Sequence, residues 1–429
     1  MSSTRQLTLK VITLMIVTTL LFSGNVWSQG SSEGFPFRPD SEYQALGAQT
    51  PYEKFLAEEN IPVYTGWALN MFTAKVGPWK RHGAGVSGAY ANLEGVGGSV
   101  DNWVMELAPG AQTKAIRHLY DENIIILTGE GETHIWRDAD GADKAIIRWK
   151  RGTVFAPPLN TWHQHFNKGS GPARLTAETT LPIVLDIFRN HEFVFNNTFD
   201  FTDRYNSEPD YFDPENSVNY GPTTDHHSLS MTNIVRDAWT YRLFNAGQGY
   251  RDIDRHFNMS GSSMPSHVEQ FPVGTYERAH RHNAGATIVL LTGTGYSLLW
   301  NYELGENPWA DGNGDQVHRT DWEPGVLFVP PTQWYHQHFN NGQDPARFIR
   351  LGGPPGNESF PVTAEGLTTG DNTQIQFKDE AREVREMFQV ELDKTGAKMA
   401  MPPREELENM EEEAGGKFIV LSAEELSQQ

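Results

Sequence analysis

The chain has 429 residues, a formal net charge of -21 and no cysteine. That length exceeds what one hydrophobic core ordinarily organises, so two domains are expected. The charge argues against nucleic-acid or anionic-lipid partners, and the missing cysteines exclude disulfides, thiolate metal ligands and a cysteine nucleophile.

In chain order, Arg5 and Lys10 precede an apolar run from Val11 to Phe22, with Val26 and Ser28 suiting cleavage just after Ser28. This is the pattern of a secretory signal, so residues 1–28 are expected to be removed, leaving a periplasmic or secreted protein with no stable membrane insertion. Residues 29–78 read as an N-terminal arm. Two β-rich copies follow, at 79–187 and 238–370, joined by an irregular, aromatic-rich linker at 188–237. The tail, 371–429, carries helical spacing at Ala381, Val384, Met387, Phe388 and Leu392 before a Glu-rich run.

The copies are read from a repeated phrase. Trp162-His163-Gln164-His165-Phe166-Asn167 is echoed by Tyr335-His336-Gln337-His338-Phe339-Asn340, at an offset of 173 (336 − 163). Upstream the offset is 164 (282 − 118), with Ile124–Gly131 matching Ile288–Gly295. The residues that separate the two offsets fall within 301–321, a stretch that reads as a lengthened loop. Short β runs between turn signals point to antiparallel sheets.

These motifs resemble the cupin superfamily, and the chain is similar to bicupins, two fused double-stranded β-helix (jelly-roll) barrels. It resembles gentisate-dioxygenase-like bicupins and uncharacterised bacterial cupins, some described as ethanolamine ammonia-lyase activating. The second copy reads Gly274, His280-Arg281-His282, Gly293, then Pro331, His336, Asn340, with Ala286 where the family has glutamate. The first reads Gly110, Ile116-Arg117-His118, Glu122, Gly129, then Pro158, His163, Asn167, with Ile116 replacing the first histidine. The implied fold is all-β, two tandem cupin barrels with a short helical tail.

Residues two or four apart on a strand share a face, so His280 and His282 can point inward together, with His336 arriving from a neighbouring strand. This three-His set suits a divalent transition metal, Fe(II) first, with Cu, Mn, Ni or Zn as alternatives. His118, Glu122 and His163 form a two-His-one-carboxylate set in the first copy. His165 and His338, two residues beyond the motif histidines, are candidates either for ligation or for a proton-carrying role behind the ligands. Arg117 and Arg281 are expected to point outward. Arg174 and Arg347 recur at matching places, favouring structural roles, and Glu106 and Gln270 are candidate substrate contacts.

The expected function is an exported metal-dependent oxidoreductase, a dioxygenase acting on a small aromatic or organic acid through the C-terminal three-His site. The alternatives are a non-catalytic small-ligand binder and an oxalate-decarboxylase-like lyase. The expected partner is a small molecule, with a homodimer as a family habit.

Overall fold

The computed structural model describes residues 49–429 except 97, 139–140, 223–227, 244–252, 282–286, 353–373, 409–417 and 421–429. Helix α1 (Pro51–Glu59) and strand β1 (Ala68–Asn70) precede the first copy. That copy comprises β2 (Val86–Ala91), β3 (Asp101–Leu107), β4 (Glu122–Thr128), β5 (Glu130–Trp136), β6 (Ala145–Lys150), β7 (Val154–Phe155), β8 (Trp162–Asn167) and β9 (Ala173–Thr179). Two short helices, α2 (Leu181–Phe188) and α3 (His191–Asn196), and strand β10 (Ile234–Val235) lead to the second copy. Its strands are β11 (Ile253–Asn258), β12 (Ser266–Phe271), β13 (Ile288–Thr292), β14 (Gly295–Asn301), β15 (His318–Trp322), β16 (Val326–Phe328), β17 (Trp334–Phe339) and β18 (Ala346–Arg350). Helix α4 (Arg382–Thr395) follows.

Each copy is a pair of sheets. The larger sheet of the first contains β2-β3-β9-β4-β7-β10 in that order, and the smaller is β8-β5-β6. The second repeats the order as β11-β12-β18-β13-β16-β1, with β17-β14-β15 as the smaller sheet. The all-β, cupin-type expectation holds, with separate sheets rather than a continuously closed barrel.

The last strand in each larger sheet belongs to the segment before the other copy. Ile234 and Val235 pair with Phe155 and Val154 of the first copy. Ala68, Leu69 and Asn70 pair with Phe328, Leu327 and Val326 of the second. Arg174 and Arg347 hold these exchanged segments. Arg174 donates to the carbonyls of Met71, Phe72 and Ala74, and Arg347 to those of Ala238, Trp239 and Tyr241. Both arginines therefore do the structural work expected of a feature recurring in both copies.

The repeated Ile-Ile-Ile-Leu and Ile-Val-Leu-Leu runs have a direct cause. Ile124 and Ile126 face the first copy's interior, whereas Ile125 and Leu127 join a second cluster with Val289, Leu291 and Ile349 from the other copy. A strand buried on both faces loses the apolar–polar alternation of a half-exposed one. The larger sheets thus pack back to back, and residues of odd or even parity separate interior from interface.

Helix α4 lies where its apolar spacing placed it. Val384, Phe388 and Leu392 are buried against Tyr276 and Phe339. Helix α2, at the end of the first copy, and helix α3, in the linker, were not expected. The short run Leu181–Phe188 carries no periodicity that separates helix from strand, and Pro182 in its first turn favours the helix. Among the described residues no helix is long and apolar enough to cross a membrane. The signal segment, 1–28, lies outside the described residues.

Candidate metal centre

Strand β8 alternates, so His163, His165 and Asn167 are buried while Trp162, Gln164 and Phe166 are partly exposed. Asn167 closes the turn by donating to the carbonyls of Leu107, Ala108 and Gly171, as Asn340 does to those of Phe271, Pro272 and Asp344. The segment carrying His118 bridges onto β8 with Ile116 opposite His163. Two residues on, His118 shares the inward side. Glu122 opens β4 on the same interior face as Ile124 and Ile126.

These positions bring three donors together. The Nε2 atoms of His118 and His163 lie 3.7 and 3.8 Å from Glu122 Oε2. All three side chains are buried, and the three donor atoms lie within 4.8 Å of one another. A divalent ion about 2.1 Å from each donor spaces adjacent donors roughly 3.0–3.4 Å apart, so each histidine would close on the carboxylate by about 0.3–0.8 Å to hold one.

Hydrogen bonds set the tautomers. His118 Nδ1 faces the Tyr120 carbonyl at 2.9 Å and His163 Nδ1 faces that of Thr161 at 3.4 Å. A carbonyl only accepts, so Nδ1 carries the proton and Nε2 presents its lone pair. Neither Nε2 has a hydrogen-bond partner, although both are buried. Trp103 Nε1 donates to Glu122 Oε1 at 2.8 Å, leaving Oε2 toward the histidines. The donor set is chemically matched to a divalent metal.

The electrostatics agree. Burial would push the Glu122 carboxyl up, but the approach of His118, then His163 and His165, holds it down at about 2. Burial, followed by the neighbouring His118, pushes His163 well below its ordinary value. The centre therefore combines an ionised carboxylate with a neutral His163 imidazole.

His165 is wired differently from His163. Trp149 Nε1 donates to Thr133 Oγ1 at 2.9 Å, and that hydroxyl lies 2.8 Å from His165 Nδ1. With Trp149 occupying one lone pair, the Thr133 hydroxyl satisfies its own proton by donating to Nδ1, which leaves His165 with an Nε2–H. Such a nitrogen donates a hydrogen bond rather than ligating. The second copy repeats this with Trp322, Ser297 and His338, at 2.9 and 2.7 Å. The hydrogen bonds thereby place the proton on Nδ1 of His163 and His336 and on Nε2 of His165 and His338.

In the second copy, His280 and His336 oppose each other across a backbone bridge, with ring centroids 4.2 Å apart. Their Nδ1 atoms face the carbonyls of Arg278 and Trp334, both at 3.1 Å, which sets the ligating tautomer again. His282, the third residue expected there, lies outside the described residues, as does Ala286. Glu277 approaches His338 at 3.5 Å and His280 at 3.8 Å.

Four further groups line that interior. His256 sits 3.1 Å from Asp254 and His267 3.3 Å from Glu269, and the two rings are 4.5 Å apart on paired positions. In the first copy, Tyr90 opposes Trp103 at the matching layer. Neither these groups nor Glu277 belong to the repeated phrase, so sequence reading passed over them; Trp103 and His82, whose buried Nδ1 has no partner, were missed for the same reason.

Glu106 and Gln270, the candidate substrate contacts, are bonded by Arg174 and Arg347 at 2.9 and 3.1 Å. Arg117 and Arg281 turn outward as expected, but they rest over Trp162 and Tyr335 at 4.7 and 5.5 Å. The large open cleft, about 1130 Å³, lies elsewhere, between β6 and the linker, lined by Lys144, Arg148, Tyr205 and Arg236.

Comparison with known proteins agrees with the repeat. Residues 103–180 match the family described as Cupin domain. Among solved structures, a Bacillus subtilis oxalate decarboxylase variant aligns at 13% identity over 67% of this chain and 76% of its own, with a TM-score of 0.42. The Lactobacillus farciminis oxalate decarboxylase formate complex aligns at 11% identity over 81% and 96%, TM-score 0.43. The Momordica charantia 7S globulin aligns at 10% over 66% and 83%, TM-score 0.40. Compared by sequence with curated proteins, the chain has no match. Residues 103–180 thus carry a cupin domain, and the second copy repeats the strand order and motifs of the first.

Proposed function

We propose that this bicupin is an exported, divalent-metal-dependent oxidoreductase of the dioxygenase type acting on a small organic or aromatic acid, with its described metal centre in the N-terminal barrel. The observation that carries the reading is the convergence of two partnerless, buried Nε2 atoms on one carboxylate oxygen. A buried polar atom without a partner costs about 1–3 kcal/mol, a penalty that a bound cation removes.

His118, Glu122 and His163 would hold the ion, Fe(II) or Mn(II) by the character of a two-His-one-carboxylate set. When bound, such an ion supplies Lewis acidity and, as iron, reactivity toward O2. The protein's own groups do the rest. Trp103 fixes Glu122, and the carbonyls of Tyr120 and Thr161 orient the imidazoles. The Nε2–H of His165 is a donor for an acidic ligand. Helix α3 covers the segment from outside, with Leu119 N–H donating to the Val194 carbonyl at 2.9 Å and Phe195 against Tyr120. This cover keeps water from the imidazoles and strengthens electrostatic contacts inside.

The sequence reading placed the chemistry in the C-terminal barrel. His280 and His336 keep a second metal site open as part of this proposal, with His282 as its third residue.

The test is metal analysis of protein purified from its native compartment, followed by oxygen-uptake and carbon-dioxide-release assays over small acids with iron- and manganese-loaded protein. Metal together with oxygen uptake is the expected result. Carbon dioxide release without oxygen consumption would move the assignment to a lyase, and metal with neither activity would move it to a ligand-binding protein.

A further inference from the structure

His82 lies outside both motifs, yet it belongs to the same interior. It is 6% exposed, and its Nδ1 is buried with no partner. Its ring packs on Trp79 at 4.2 Å, Trp79 packs on Trp103 at 6.2 Å, and Trp103 donates to the ligand-type Glu122. On its other side, the His82 carbonyl accepts from Lys114 N–H at 2.7 Å. The adjacent Thr113 is bonded twice to His165: its N–H donates to the His165 carbonyl and its hydroxyl oxygen accepts from the His165 N–H, both at 2.9 Å. His82 is thus bracketed between the groups that support Glu122 and those that support His165.

Ile116 marks where the two copies differ beside this segment. Where the second copy places His280 opposite His336, the first places Ile116 opposite His163 and so lacks one imidazole on the motif strand. His82 enters the interior from the segment upstream of β2. It is not among the three donors that converge, so it stands beside the centre rather than in its ligand set.

We propose that His82 and His165 form a pair of N–H donors that binds the carboxylate of a small organic acid next to the His118–Glu122–His163 centre. The pair has the right chemistry for an anion. His165 keeps its proton on Nε2 through the Trp149–Thr133 relay, and the buried His82 Nδ1, which has no partner, would donate to the acid in its Nδ1–H form. Neutral donors recognise a carboxylate without adding buried charge, which a low-dielectric cavity would penalise. The proposal rests on the metal-centre reading for its location, and it names the groups that would contact the acid.

The experiment is calorimetric titration of sodium acetate into the full chain, metal-free and loaded with Mn(II), with manganese content measured in parallel. His82→Leu should retain manganese but weaken acetate binding by about 10- to 100-fold, the loss of one hydrogen bond to a charged group. His82→Asn, which returns a donor near the Nδ1 position, should recover binding to within about 3-fold. Circular dichroism confirms that each variant is folded. Unchanged acetate affinity in His82→Leu overturns the proposal, as does absence of acetate binding by wild-type protein in both forms. Loss of manganese in His82→Leu, matching that in His118→Ala, would overturn it differently, by making His82 a ligand. If wild-type protein retains no manganese, the metal reading falls, and acetate binding by the metal-free chain and its His82→Leu variant still decides the donor pair.

Discussion

His118 and Tyr120 are joined twice: the imidazole Nδ1–H donates to the Tyr120 carbonyl at 2.9 Å, and the two rings stack 3.5 Å apart at an interplanar angle of 4°. Ring plane and tautomer are thereby fixed before any ligand arrives. Replacing the stacked ring, Tyr120→Leu, should lower the Mn(II) affinity of this centre about 10-fold while leaving the stoichiometry unchanged, as isothermal titration would show. Groups that orient metal ligands contribute on this scale, and no change would mean the carbonyl alone suffices.

The tautomer assignments separate His163 from His165. His163→Ala should lose metal from the N-terminal centre, whereas His165→Ala should keep it at near wild-type stoichiometry. Metal analysis of the two variants side by side is decisive: loss in His165→Ala and retention in His163→Ala would reverse the assignment.

Trp103 carries a second-hand role through Glu122. Trp103→Phe keeps most of the packing and removes only the Nε1–H bond to Oε1. Metal affinity should drop about 10- to 100-fold with little change in melting temperature. A large melting shift with intact affinity would make Trp103 a packing residue alone.

The interface between the copies predicts a pH effect. Glu178 is buried on the face of β9 turned toward Thr287 and Arg350 of the second copy, and burial pushes its carboxyl up to about 8. Asp101, bonded by Tyr52 and Thr179, is raised by burial to about 7. Both groups hold protons more tightly when folded than when unfolded. Their contribution is therefore complete below the unfolded values, 4.5 and 3.8, and is lost as pH rises through about 7 to 8. Calorimetry should find a melting temperature at least about 3 °C lower at pH 8.5 than at pH 6. Glu178→Gln should narrow that difference, and a melting temperature that rises over this window would contradict the account.

How much of this was legible beforehand depends on what kind of signal each residue carries. The repeated phrase gave the fold class, because sheets advertise themselves through alternation and the two copies corroborate each other. Glu122 was legible beside His118 because four residues along a strand return to one face. His82, Trp103 and Glu277 were not, since each reaches the interior from a segment that shares no motif with the ligands. The partner of Glu106 was hidden for a related reason: Arg174 is distant in sequence, and only the folded sheet pairs them across β3 and β9. The exchanged strands β1 and β10 are three and two residues long, too short for any periodicity to show.

That exchange makes the duplicated gene indivisible. A ribosome that has finished the first copy has not yet supplied Ile234 and Val235, and the three residues that finish the second were synthesised before the first began. Neither half can therefore mature alone as it emerges, and each, expressed separately, would present an unpaired sheet edge open to aggregation. Mixed together as separate polypeptides, the halves should rescue one another, since each carries the strand the other lacks.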